Sequence, residues 1–129
     1  FPSAQNGHLE VVKYLVENGA NIHANDNIAL RYSAYYGHLS IVKYLVESGG
    51  NIHANNNDTL HFSANNDQAL TNSARHGHLE VVKYLVENGA YIHANNYRAL
   101  QDSARYGHLE IVKYLVENGA DNIDRSSSL

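Results

Sequence analysis

The sequence predicts an all-α solenoid in which similar helix-turn-helix units stack side by side. The tripeptide Gly-His-Leu begins at Gly7, Gly37, Gly77 and Gly107, at spacings of 30, 40 and 30 residues. The stretches that follow these anchors are nearly identical, and their apolar residues recur with a helical period. One helix pair cannot bury its apolar stripe alone, whereas stacked pairs can, and this requirement favours a solenoid.

Composition restricts the class of protein further. The chain has 129 residues, of which 43% are hydrophobic and 17% are charged, so we expect one globular domain over residues 1–129. The absence of cysteine excludes disulfides and thiolate chemistry. A net charge of −4 argues against nucleic-acid binding, and no apolar run is long enough to span a membrane. We expect the protein to be intracellular, in the cytoplasm, and to be a monomer. Because the chain begins with Phe1, we also expect it to be a fragment.

The second helix of each unit is the clearer one, and in the first unit it is predicted over residues 9–18. Its apolar residues lie on one helical face, namely Leu9, Val12, Leu15 and Val16. Gly19 follows at the place where a chain commonly leaves a helix in a left-handed conformation. The same ending recurs in the other units at Gly49, Gly89 and Gly119.

The first helix of each unit is weaker but recurs, over residues 28–36, 68–76 and 98–106. Asn and Asp precede each copy, at residues 25–27, 65–67 and 95–96, and are predicted to cap the free amide groups of the helix. A Ser-Ala pair recurs inside each copy, at Ser33, Ser73 and Ser103. Small residues at a fixed position allow neighbouring helices to approach closely.

These units resemble ankyrin repeats. The family pattern A-A-x-x-G-H-L-E-I-V-x-x-L-L-x-x-G-A is matched over residues 103–120, and the resemblance extends from about Ser3 to about Ala120. The sequence Val-Lys-Tyr-Leu-Val-Glu-Asn-Gly-Ala is similar to repeats encoded by giant viruses of amoebae, which implies a viral protein in the host cytoplasm. The period of 30 is shorter than the usual length of about 33 residues. We therefore expect an ankyrin-type solenoid with shortened β-hairpin or turn connections.

The 40-residue step has two interpretations, either one unit with ten extra residues or two units that have lost twenty. The sequence favours the second, because residues 55–64 resemble the start of a first helix and another such start follows directly. The predicted units are about 1–24, 25–54, 65–94 and 95–124, with an irregular partial unit at 55–64 and a tail at 121–129. We expect weaker stacking at this step.

Catalytic, cofactor and metal sites are not predicted. Histidine recurs once per unit in the turn (His8, His38, His78 and His108) and again after the second helix (His23, His53 and His93). Repeated copies lie about 10 Å apart, too far to converge on one metal ion, so we expect the turn histidines to bond to backbone. No nucleophile–base set and no phosphate-binding glycine motif is present, so an enzyme is not expected.

Positions that differ between otherwise identical units can carry partner-specific information. The resemblance implies that turns and first helices form a concave binding surface. The candidate partner-binding positions are Arg31, Tyr35, Tyr36, Thr71, Arg75, His76, Gln101, Arg105 and Tyr106. Tyr and Arg are enriched at binding hot spots. The leading hypothesis is a scaffold-like protein–protein interaction module, and the alternative is a structural spacer within a longer repeat protein.

Overall fold

A computed structural model describes residues 7–55 and 67–119, which contain seven helices and no strands. The helices are α1 (Leu9–Glu17), α2 (Ala24–Tyr35), α3 (Leu39–Glu47), α4 (Gln68–Arg75), α5 (Leu79–Glu87), α6 (Ala94–Arg105) and α7 (Leu109–Glu117). We call α2, α4 and α6 the first helices, and α1, α3, α5 and α7 the second helices. The start of the first predicted unit (residues 1–6), most of the partial unit at 55–64, and the tail at 121–129 lie outside the described residues.

The helices stack as the repeat pattern predicts. The first helices pack on one another in chain order, the second helices do the same, and each first helix packs on the second helix that follows it. One continuous core results, in which Leu30, Leu45, Leu70, Leu85 and Leu115 are fully buried. Burying one such side chain contributes about 1.5–3 kcal/mol, so contacts between neighbouring units dominate the stability. The all-α solenoid is confirmed.

The small residues of the first helices allow this close packing. Ser33, Ser73 and Ser103 are completely buried, and the hydroxyl of each donates to the backbone carbonyl three residues earlier at 3.0 Å. Ala34 and Ala74 are also completely buried. A larger side chain at these positions would separate the helices.

The connections into the first helices contain a left-handed turn. Asn25, Asp26 and Asn27 have φ values of 52°, 55° and 60°, and residues 95–97 repeat this conformation. Asn and Asp tolerate left-handed backbone better than most residues. The right-handed parts of α2 and α6 therefore begin at residues 28 and 98, where the sequence predicts them. No β-hairpin occurs in these connections, so the expected shortening is confirmed within the described residues.

The capping prediction is wrong for Asp67, whose side chain forms no cap at the start of α4. The Asp67 carboxylate instead accepts a hydrogen bond from the backbone N–H of Tyr91 at 2.7 Å. Asn27 does the same with the N–H of Asn51 at 2.9 Å. Each side chain ties the start of a first helix to the segment that follows the second helix of the same pair.

Hydrogen bonds join residues on the two sides of the 40-residue step. His53 donates from Nδ1 to the carboxylate of Asp67 at 2.8 Å, as His23 donates to Asn27, four residues later, at 3.1 Å. The backbone N–H of Gln68 also reaches the carbonyl of Ala54 at 3.3 Å. Residues 53–54 and 67–68, on the two sides of the step, are therefore in direct contact.

The stacking is the same on both sides of that point, so the prediction of weaker packing at the step is wrong. A lysine ammonium lies over the tyrosine ring of the next second helix in three places: Lys13 over Tyr44 at 5.9 Å, Lys43 over Tyr84 at 5.8 Å, and Lys83 over Tyr114 at 5.9 Å. The middle pair spans the 40-residue step. The second helices on the two sides of the step therefore meet as they do elsewhere in the stack.

Position in the stack, rather than local sequence, determines how deeply a residue is buried. Helices α1 and α5 have the same sequence, yet Leu15 is 37% exposed and Leu85 is 0% exposed.

The segments 7–55 and 67–119 contain no helix with the length and apolar character needed to cross a bilayer.

Candidate protein-binding surface

The turn between a first and a second helix fixes how successive units meet. His78 donates from Nε2 to the backbone carbonyl of Tyr35 at 2.9 Å, and His108 donates in the same way to the carbonyl of Arg75 at 2.9 Å. Each carbonyl belongs to the preceding helix pair. The prediction that turn histidines bond to backbone is confirmed for these two residues, and their partners show that they also fasten one unit to the next.

The described part of the chain contains no cluster of side chains that could bind a metal ion. No three His, Asp or Glu side chains of residues 7–55 and 67–119 converge on a common point. The histidines after the second helices have other contacts, since His53 bonds to Asp67 and the His93 ring lies edge-on to Tyr97, with 5.6 Å between the ring centroids.

Six of the predicted residues lie at the C-terminal ends of the first helices, two from each of α2, α4 and α6. We call this set the helix-end surface, and it consists of Tyr35, Tyr36, Arg75, His76, Arg105 and Tyr106. Because the three helices pack in the same way, equivalent positions repeat at about the 10 Å separation of packed helices. The surface therefore runs along the stack, across three units.

Side chains of the helix-end surface contact one another between units in one register. The rings of Tyr35 and His76 are tilted against each other, with 4.1 Å between their centroids. One unit further, the guanidinium of Arg75 lies 5.5 Å from the ring centroid of Tyr106 and donates to its hydroxyl at 3.3 Å. In both pairs the earlier unit supplies the last helical residue and the later unit supplies the residue that follows its helix.

Most of this surface is open to solvent. Tyr36 is 44% exposed and Tyr106 is 49% exposed. Arg75, His76 and Arg105 are also exposed, whereas Tyr35 is half-buried between Tyr36 and His76. Large aromatic side chains that remain exposed although they are held by neighbours are typical of binding sites rather than of a folded core.

The arginines determine the charge of the helix-end surface. The hydrogen bond from Arg75 lowers the pKa of the Tyr106 hydroxyl, and the same bond raises the pKa of Arg75. Partial burial lowers the pKa of His76, and the nearby charge of Arg75 lowers it further. Both effects favour the neutral form of His76, so the positive charge of the surface comes from Arg75 and Arg105.

Two predicted residues, Arg31 and Thr71, do not lie on this surface, because they are only 6% and 8% exposed. Arg31 donates to the backbone carbonyls of Asn25 and Asp26, each at 2.9 Å, and to the side-chain oxygen of Gln68 at 3.1 Å. Its guanidinium thus binds carbonyl groups of the left-handed turn. Thr71 donates to the carbonyl of Gln68 at 3.3 Å.

Gln101 occupies the position of Arg31 in the last unit and has a similar contact. Its side-chain amide donates to the carbonyl of Asn96 at 2.6 Å, although the residue is exposed. At this position Arg31 and Gln101 therefore both bind carbonyls of the left-handed turn in their own unit.

One exposed aromatic residue beside the surface is absent from the predicted set. Tyr32 is exposed and lies one helical turn before Tyr36, on the same side of α2. The i, i+4 spacing of two unrepeated tyrosines was the available signal. Tyr91 is also exposed, but its ring stacks on His53 with 4.1 Å between centroids, near the 40-residue step.

Comparison with known proteins agrees with the helix-pair stack. A family model described as ankyrin repeats (3 copies) matches residues 2–58 and 50–126. The two matched stretches together include both sides of the 40-residue step. No curated protein matches the chain significantly.

Proposed function

Because the chain belongs to the ankyrin-repeat family, whose members generally bind other proteins, we propose that it is a protein–protein interaction module. The binding site is the helix-end surface. The observation that carries this proposal is the continuity of that surface, since side chains from three successive first helices touch one another between units and most of them stay exposed.

The geometry supports tight binding because much of the surface is held in place. A rotamer-rich side chain that becomes ordered on binding costs about 0.5–1.5 kcal/mol, and the contacts Tyr35–His76 and Arg75–Tyr106 lower that cost. Tyrosine and arginine bring large apolar area together with hydrogen-bond donors. The stacked core beneath them is shared by all units and therefore serves as a rigid scaffold.

We further propose that the module acts without catalysis, as a monomer within the cell. We also propose that it is a viral protein that acts in the cytoplasm of a host cell, as the resemblance drawn from the sequence implies. A role as a spacer in a longer repeat protein is the alternative, and the experiment below separates the two.

The helix-end surface is tested by replacing Tyr36, Arg75, Arg105 and Tyr106 with alanine. We expect the affinity for the native protein partner to fall about a thousandfold, because four hot-spot residues that each contribute about 1 kcal/mol together contribute about 4 kcal/mol. The measurement is quantitative co-purification from the source cells, followed by titration of the purified partner. The folded state of each variant is checked by circular dichroism.

A matched control removes the same number of tyrosines and cationic side chains from elsewhere on the molecule. Replacing Tyr14, Lys43, Tyr91 and Lys113 with alanine also removes two exposed tyrosines and two cations. The control variant is expected to keep its partners. If both variants recover the same proteins in the same amounts, the helix-end surface is not the binding site, and if the native chain recovers none, the spacer role is favoured.

A further inference from the structure

Charged residues are divided between the two helix layers. All seven glutamates and all four lysines of the sequence lie in the second helices. The first helices instead carry arginine, and two of their arginines belong to the helix-end surface. A protein with a net charge of −4 therefore presents positive charge at its aromatic surface and mixed, mainly acidic, charge on the opposite layer.

The two arginines of the helix-end surface retain most of their hydrogen-bonding capacity. Arg75 uses one donor on the hydroxyl of Tyr106. Arg105 is exposed and makes no hydrogen bond or ion pair with any residue of 7–55 or 67–119. A guanidinium has five donors and binds a carboxylate through two parallel hydrogen bonds. Both side chains are thus able to bind a carboxylate.

The carboxylate closest in sequence to this surface does not neutralise them. Asp102 is buried, and its two oxygens accept from Nε of Arg98 at 3.0 and 3.1 Å. All the glutamates lie in the other layer, where they would repel a long polyanion that extends around the molecule. A short acidic segment can contact the helix-end surface without approaching these glutamates.

The spacing of the arginines indicates the form of the ligand. Arg75 and Arg105 occupy the same position in neighbouring first helices, so their backbones are about 10 Å apart. An extended peptide in the polyproline II conformation has three residues per turn and rises about 3.1 Å per residue, so carboxylates three residues apart lie on the same face at about the same separation. The ring of Tyr106 lies against Arg75 and provides apolar contact beside it, and Tyr36 is the exposed ring one unit earlier in the stack.

From these observations, and resting on the proposed function, we propose that the helix-end surface binds an extended acidic segment of a partner protein. Carboxylates three residues apart in that segment pair with Arg75 and Arg105, and the side chains between them pack on the tyrosine rings. Charge attraction also speeds the encounter at low salt.

The test uses a capped synthetic peptide, acetyl-(Gly-Glu-Tyr)-repeat-amide, with glutamate at every third position. Titration of the full chain is followed by amide chemical shifts and by fluorescence anisotropy. We expect the shifts to concentrate at residues 35–36, 75–76 and 105–106, and the affinity to weaken as the salt concentration rises. A peptide with Gln in place of Glu is expected to bind about tenfold more weakly.

Matched charge variants assign the effect to the arginines. Replacing Arg75 and Arg105 with glutamine is expected to weaken peptide binding about tenfold, since each charge-assisted hydrogen bond contributes about 1 kcal/mol or more. Replacing Lys43 and Lys113 with glutamine removes the same charge from the other layer and is expected to change the affinity less than about twofold.

The inference is overturned if the Glu and Gln peptides bind equally, if the arginine variant binds like the native chain, or if a single-stranded oligothymidine binds more tightly than the acidic peptide. Each of these results would overturn the acidic-ligand proposal without overturning the proposed protein-binding function. If the four-alanine variant loses its native partner while the acidic peptide never binds, the helix-end surface remains the binding site and only the acidic ligand is wrong.

Discussion

Replacing Leu85 by alanine is expected to lower the free energy of unfolding by about 3 kcal/mol. Leu85 is completely buried where α5 packs between its neighbours, and removing a buried leucine side chain costs about 2–5 kcal/mol through lost burial and the cavity that remains. The loss is measured by urea denaturation, followed through the helical circular dichroism signal.

Leu15 offers a control in an identical sequence, because α1 and α5 share the nonapeptide Leu-Glu-Val-Val-Lys-Tyr-Leu-Val-Glu. Leu15 is 37% exposed, so its replacement by alanine is expected to cost about 1 kcal/mol. Helix propensity and neighbouring residues are the same at the two sites. Equal losses at Leu15 and Leu85 would show that stacking does not determine the burial of this position.

Replacing Gly37 by alanine is the second substitution with a large expected effect, about 3 kcal/mol of destabilisation. Gly37 has a φ of 77°, and an alanine in left-handed backbone costs about 1–2 kcal/mol. Its Cβ would lie 2.6 Å from Nδ1 of His78, so the ring has to move and lose its hydrogen bond to Tyr35. A lost hydrogen bond to a partly buried group adds about 1–3 kcal/mol.

Gly107 is the matched control for the contact between units. It has nearly the same φ, 78°, but a Cβ there would meet nothing within 4 Å. Its replacement by alanine is expected to cost only the conformational term of about 1–2 kcal/mol. Thermal or urea denaturation of the two variants measures the difference, and if Gly107→Ala is as damaging as Gly37→Ala, the turn histidine does not fasten neighbouring units.

The fold could be predicted from the sequence because the residues that produce the helix stack recur in every unit. The apolar residues of one helical face recur with each Gly-His-Leu anchor, and this pattern places the second helices correctly to within one residue. The Ser-Ala pairs mark the buried side of each first helix. Each of these signals is local and appears several times, so one weak copy is corrected by the others.

The details that sequence could not supply depend on which side chains meet in space. From the sequence, Arg31 is predicted to be a binding residue. In the structure its guanidinium is buried and donates hydrogen bonds to carbonyls of the left-handed turn. Asp67 looks like a helix cap, but the N–H of Tyr91, 24 residues later, is its partner. Neither partner can be identified from neighbouring residues, because both arise only when the helix pairs stack.

The 40-residue step shows the same limit. The sequence of residues 55–64 resembles the start of a first helix, and that prediction falls outside the described residues. The contacts His53–Asp67 and His78–Tyr35 show that the described helices continue the stack with its usual geometry. Continuity of the stack is what brings Tyr35 of one unit against His76 of the next, and therefore what creates the helix-end surface.

Deletion of residues 57–66 tests this continuity most directly. The deletion places His53 and Asp67 four residues apart, the spacing that His23 and Asn27 already have. We predict that the shortened chain unfolds in one cooperative transition, with a free energy of unfolding unchanged or raised by about 1 kcal/mol because less loop entropy is lost on folding. The amide signals of Tyr35 and His76 stay in place. A chain that loses cooperative unfolding, or whose signals at these two residues shift to new positions, would contradict the account of one unbroken stack.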